Sequence, residues 1–216
     1  MIKKCFLAVL MTALFSLHAE TINFECLTDN GNGCASMVTQ LTVVVTDPGS
    51  NQVLFTFHNL GPVLATIAQI YWDDYTADLL NIASITNAIG LVEFDSPATP
   101  GNLPSGNTAV PPLTTSFSVG ALPPPAQLGV DPGENLPVLF NLSAGTTFDD
   151  VLASLAAKDM RIGMHMISIG TNEGSDSVLN LPGVGPEPHP IPEPAPFVLI
   201  GAGLLAVGAF KRHVAK

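Results

Sequence analysis

The densest run of side chains able to do chemistry is Tyr71-Trp72-Asp73-Asp74-Tyr75, with Asp78 three residues further on. A second acidic turn comes much later, at Asn172, Glu173 and Asp176. Carboxylate and amide oxygens of this kind ligate Ca²⁺, which takes six to eight oxygens. Asp73, Asp74 and Asp176 are therefore the candidate calcium ligands, on condition that the fold brings the two turns together. If it does not, both are solvated acidic loops. Tyr71, Trp72 and Tyr75 are a candidate flat surface for sugars, although Trp72, the sole tryptophan, is expected to fill the core instead. A glycosidase needs two carboxyl groups facing each other across a cleft. Asp73 and Asp74 are neighbours and on a strand point to opposite faces, which counts against them as such a pair.

Other catalytic patterns are missing from the sequence. It holds no glycine-rich phosphate loop, no His-Glu-x-x-His and no nucleophile elbow. Of the five histidines, only His58 and His165 fall in the central body, both on what reads as the polar phase of a strand. They are expected at the surface rather than as ligands. The chain reads as non-enzymatic, with no cofactor apart from that conditional calcium.

Charge narrows the partners. The 216 residues carry 7 basic and 18 acidic side chains, a formal net charge of −11, with 47% apolar and only 12% charged residues. A disordered chain would be poorer in apolar residues and richer in charge. Five of the bases sit at the ends: Lys3, Lys4, Lys211, Arg212 and Lys216. Between Glu20 and Pro194 only Lys158 and Arg161 stand against all 18 acids, leaving that stretch at −16. Such a body repels nucleic acid, which is bound by basic faces.

The two ends carry membrane signals. Lys3 and Lys4 precede an apolar run from Cys5 to Leu17, and Leu17-His18-Ala19 offers a small residue at the exit. This is the layout of a secretory signal peptide, with cleavage expected after Ala19, so residues 1–19 are set apart from the fold. At the other end, residues 197–210 hold no charge and Lys211-Arg212-His213 follows at once. Fourteen helical residues rise about 21 Å against a hydrocarbon core of about 30 Å. Flanking residues and snorkelling cations narrow that gap. Lys211 and Arg212 are expected to stay in the cytoplasm, with the acidic body outside. Between body and span, proline stands at every second position from Pro186 to Pro196, which dictates an extended, water-exposed spacer.

Ile191-Pro192-Glu193-Pro194-Ala195, followed by an apolar segment and Lys211-Arg212, resembles the PEP-CTERM sorting signal of Gram-negative bacteria. The resemblance covers the last 26 residues. It implies an exosortase as partner, a membrane cysteine transpeptidase that recognises Pro192, Glu193 and Pro194 and cuts near them. It also implies passage through the inner membrane, transient anchoring by the C-terminal helix, and a final place on the cell surface or in the biofilm matrix beside extracellular polysaccharide. The body resembles a recurrent group within that class at 68–74, 129–134, 148–151, 160–165 and 174–177. That likeness carries no catalytic residues across.

The elements that must position these residues are mostly strands. The β-branched stretch 38–46, alternating Val53, Phe55 and Phe57 in 52–58, and the apolar run 63–72 read as strands. So do 79–86, 90–95, 113–119, 137–142 and 160–166. One helix is expected, with Thr147 and Asp150 as a capping box and Val151, Leu152 and Leu155 as its apolar stripe. Residues 97–137 hold ten prolines and read as a long rigidified loop with one strand inside. Cys26 and Cys34 are expected to form a disulfide in an oxidising compartment. The resulting expectation is a mainly β, antiparallel, jelly-roll-like β-sandwich over 20–181 with one short helix. It is preceded by the signal peptide 1–19 and followed by a spacer at 182–196 and a transmembrane helix with basic tail at 197–216.

Overall fold

A computed structural model describes residues 19–31, 33–87 and 91–182. The chain divides after Gly185, and the described residues all belong to the first unit. They are mainly antiparallel β, with strands β1 (Ala19–Cys26), β2 (Leu41–Thr46), β3 (Gln52–Asn59), β4 (Thr66–Asp74) and β5 (Leu79–Ile85). The others are β6 (Phe94–Asp95), β7 (Phe117–Ala121), β8 (Asn135–Leu142), β9 (Met160–Ile169) and β10 (Gly174–Asn180). Three short helices join them: α1 (Cys34–Met37), α2 (Pro125–Leu128) and α3 (Phe148–Ala157).

The strands form one continuous ladder in the order β5-β8-β3-β2-β1-β10-β9-β4-β7-β6. β1 is its hinge. Ala19 to Asn23 pair with β2, whereas Phe24 to Cys26 pair with β10. The two halves face each other in a sandwich- or barrel-like arrangement. Phe55 and Phe57 of β3 and Phe140 of β8 meet Trp72 of β4 edge-to-face, with ring centroids 5.0–5.9 Å apart. Such offset aromatic contacts each add about 0.5–1.5 kcal/mol beyond the area they bury. Trp72 is fully buried, as its solitary status suggested, and its indole N–H has no hydrogen-bond partner among the described residues.

The expected helix is α3. Thr147 accepts from the Asp150 backbone N–H at 3.3 Å while the Asp150 carboxylate accepts the Thr147 N–H at 2.8 Å. The Thr147 hydroxyl, which also donates to that carboxylate (2.6 Å), and then the Thr147 N–H hold the Asp150 carboxyl below its usual range. Val151, Leu152 and Leu155 are buried, and Lys158 ends the helix in the left-handed region. The expectation of one helix falls short by two. α2 grows out of the Pro123-Pro124-Pro125 run, where a proline at the first helical position sacrifices no hydrogen bond. α1 starts at Cys34, right behind the left-handed Gly33.

Strand boundaries moved for local reasons. The 38–46 strand begins only at Leu41, because Val38–Gln40 make a 3-10 turn. There the Gln40 side chain bonds both the N–H and C=O of Val63 at 2.8 Å. Of the described residues in 90–95 only Phe94–Asp95 is strand, and 113–119 became Phe117–Ala121. β1 and β10 were not anticipated. β1 starts at the last residue of the segment expected to be a signal peptide, whose residues 1–18 lie outside the described residues, and β10 contains residues read as an acidic turn.

The proline-rich stretch does contain one strand, β7, but the part before it is packed rather than solvated. Residues 96–116 lie as a strap over the outer face of β4, β9 and β10. Ala98, Leu103, Ala109 and Leu113 of the strap form a second small core with Tyr71 and Leu179. The Tyr71 hydroxyl donates to the Pro100 carbonyl (2.9 Å), and Ser177 Oγ donates to that of Pro104 (2.6 Å). Burial under the strap pushes the Tyr71 hydroxyl up to about 12. β4 is consequently buried on both faces along its whole length. At Gly163 of β9 the strap leaves no room for a side chain, since a Cβ there would lie 2.6 Å from Leu103 Cδ2.

Candidate functional site

Where β4 ends, its last two residues separate, as alternation on a strand requires. Asp73 points under the strap. Its carboxylate forms a buried ion pair with Arg161, which stands opposite it on β9, and accepts the Thr114 N–H at 3.1 Å. The same guanidinium donates to the carbonyls of Pro111 (2.5 Å) and Pro112 (2.9 Å), pinning the strap to the sheet. Asp74 points the other way. It accepts the backbone N–H groups of Asp78 (3.2 Å) and Leu79 (2.9 Å) and so shapes the β4–β5 turn. Asp78 accepts hydroxyl hydrogens from Thr76 (2.6 Å) and Ser154 (2.5 Å), tying that turn to α3.

Between strap and turn lies a cleft of about 670 Å³ lined by Asp73, Asp74, Tyr75, Pro111, Pro112, Thr114, Ser116, Lys158, Asp159 and Arg161. This is within the roughly 300–1,000 Å³ typical of small-molecule sites. Tyr75 is 86% exposed, and its backbone N–H donates to the Asp159 carbonyl at 3.0 Å. The side chain of Lys158 is 44% exposed, and its nearest acid is Glu25 at 3.9 Å. Both cations of the acidic body thus meet at this one cleft. A second depression of about 600 Å³, on the α3 side of the turn, is lined by Thr76, Asp78, Thr146, Asp150, Ser154 and Asp159, among others.

The structure does not assemble the conditional calcium site. Asp73 stands opposite Arg161, whereas Asp176 stands opposite Met166, five positions along β9. At about 3.3 Å per residue that separates them by about 17 Å. Among the described residues no group of three or more His, Cys, Asp or Glu is placed to hold a metal ion. Asp176 lies in β10 rather than in a turn and is 2% exposed. Its Oδ1 accepts from Thr28 Oγ1 and the Asn30 N–H, both at 2.9 Å, which anchors the loop closed by the Cys26–Cys34 disulfide. The disulfide is formed as expected.

The aromatic platform is corrected to one residue. Trp72 is in the main core and Tyr71 under the strap, so only Tyr75 faces solvent. His165 is half-buried rather than at the surface, with Nδ1 2.6 Å from Gln69 Oε1. Burial lowers its pKa below 6.5, opposed by the charge of Asp176. His58 is half-buried on β3, and burial lowers its pKa as well. Arg161 is buried. That a lone arginine in an acidic body needs an acid partner was inferable; that the partner is Asp73 depends on strand register.

Ala19 is the first described residue and pairs with Thr46. Pro192, Glu193, Pro194, Lys211 and Arg212 lie outside the described residues, as does the expected span 197–216. Among the described residues no helix is long and apolar enough to cross a membrane. No protein-family model matches the chain, and no curated protein and no solved structure matches it either.

Proposed function

We propose that the chain is an exported protein of the cell surface or extracellular matrix, sorted by an exosortase at Pro192-Glu193-Pro194 and without catalytic activity. In this reading the acidic body is a jelly-roll-like sandwich, held for a time by the apolar segment 197–210 and then cut free or passed to surface glycan. The observation that carries it is the sequence run from Ile191 to Lys216: the tripeptide, the uncharged stretch, then Lys211-Arg212. The Cys26–Cys34 disulfide supports it, since such bonds persist in oxidising compartments. The non-catalytic role is supported by the commitments of the carboxylates. Asp73 is neutralised by Arg161 and Asp74 is engaged by backbone N–H groups, so neither stands free in an acid–base pair.

Expressing the chain in a host with and without an exosortase tests the proposal by intact mass. The expected result is loss of the C-terminal segment near Pro194 only where the enzyme is present. Equal masses in the two hosts overturn it. A second reading, a polysaccharide-binding module of the matrix, is favoured by one observation: the exposed ring of Tyr75 beside Pro111 and Pro112. Calcium receives no such support, because Asp73 and Asp74 are far from Asp176.

A further inference from the structure

We propose that the cleft between the strap and the β4–β5 turn binds the hexose units of a neutral polysaccharide, with Tyr75 as the stacking platform. The proposal rests on the polysaccharide-binding reading and gives it a place and a ligand charge.

Three features specify the chemistry. The first is the apolar wall. The Tyr75 ring is held in the open by a backbone bond to Asp159, and the rings of Pro111 and Pro112 line the same cleft. Tyrosine brings a large, stiff contact surface at small entropic cost, and a pyranose has a face of C–H groups to lay against it. The second is hydrogen-bonding capacity. Asp159, Thr114, Ser116 and Lys158 line the cleft, supplying carboxylate acceptors, hydroxyls and one ammonium donor. Sugar hydroxyls, which both donate and accept, match that mixture. The third is local charge balance. Three carboxylates line the cleft, Asp73, Asp74 and Asp159, and two cations, Arg161 and Lys158, stand among them; Asp73 is paired with Arg161, and Asp74 accepts backbone N–H groups. The cleft is thus close to neutral within a strongly acidic body. An anionic ligand would be repelled on approach by the surrounding acids.

The test uses the full chain. Isotope-labelled protein is titrated with cellohexaose, laminarihexaose and maltohexaose, and with a hexagalacturonate, following amide shifts by NMR. At least one neutral hexamer is expected to move the amides of Tyr75, Lys158 and Asp159, with the uronate binding more weakly. Tyr75→Ala is expected to weaken that binding about tenfold or more, in line with loss of an aromatic anchor. Tyr75→Phe is expected to retain it. As an exposed residue, Tyr75 can be replaced without loss of fold, checked by an unchanged unfolding midpoint. Shifts confined to another surface, or a Tyr75→Ala variant that binds as well as the parent, overturn the placement while leaving the polysaccharide reading intact. No response to any neutral hexamer overturns both, and leaves sorting by exosortase to its own mass measurement.

Discussion

Replacing Arg161 by methionine should be among the costliest single changes in the body. The guanidinium and the Asp73 carboxylate are only 7% and 10% exposed, and the cation holds two strap carbonyls besides. Removing one member of a buried ion pair costs about 3–5 kcal/mol, chiefly because the remaining charge is left without a partner. Pro111 and Pro112 are exposed, so water can take over their carbonyls, and the loss should come mainly from Asp73. Trp72 is fully buried and the only tryptophan, so its fluorescence reports unfolding in urea. With a slope of about 2 kcal/mol per molar, the midpoint should fall by about 1.5–2.5 M. Asp73→Leu alone should lose a similar amount, since it strands the arginine. Asp73→Leu with Arg161→Met should recover most of it, because apolar replacement of a buried pair is often neutral. The argument fails if Arg161→Met loses less than about 1 kcal/mol. It fails equally if the double variant loses the sum of the two singles, which would mean that the pair is not coupled.

Gly129→Ala should destabilise by about 3 kcal/mol in the same urea assay, since overpacking that cannot relax falls at the upper end of its usual range. The new Cβ would lie 2.4 Å from Thr66 Cγ2, 2.6 Å from the Ile67 carbonyl and 2.8 Å from that of Pro125, two of them backbone atoms. Gly163→Ala should cost less, because there only the Leu103 side chain must move. His165 has its pKa lowered by burial, so the unfolded chain binds the proton more readily. Its contribution is therefore complete above about pH 6.5 and declines as pH falls from there towards the folded value. Midpoints measured between pH 8 and pH 5 should fall more steeply for the parent than for His165→Gln. Cys26→Ser with Cys34→Ser should cost about 2–3 kcal/mol, the chain-entropy value for so short a loop, and should speed amide exchange at Asn30.

How far the fold could be read from sequence depended on periodicity. Where one sheet face is buried and the other open, alternation is legible, as in β3, whose buried Val53, Phe55 and Phe57 alternate with half-buried neighbours. Thr147 and Asp150 announced α3 because a capping box is local chemistry that needs no knowledge of the rest of the chain. The disulfide was legible for the same reason. β10 was not: Gly174, Ser175 and Asp176 look like a turn, and only the pairing of Gly174 and Asp176 with β9 makes this stretch strand.

The site was less legible, because register and the strap decide it. Asp73 and Asp176 looked like partners while their strands were unplaced, and the β9 ladder puts them at different ends. The strap did leave one trace in the sequence. Antiparallel sheets usually alternate because one face meets water, so an antiparallel strand with no alternation must be covered twice. Residues 66–72 run Thr-Ile-Ala-Gln-Ile-Tyr-Trp without a charge, then reach Asp73 and Asp74, both buried. Read that way, β4 demands a second layer, and the proline-rich stretch is the segment with length and uncharged composition to supply it. Proline cannot join the ladder, but a chain that lies across a sheet has no need to. Its carbonyls then require donors from below, and Arg161 and Tyr71 provide them. The one buried arginine and the cleft beside it follow from covering a sheet with prolines.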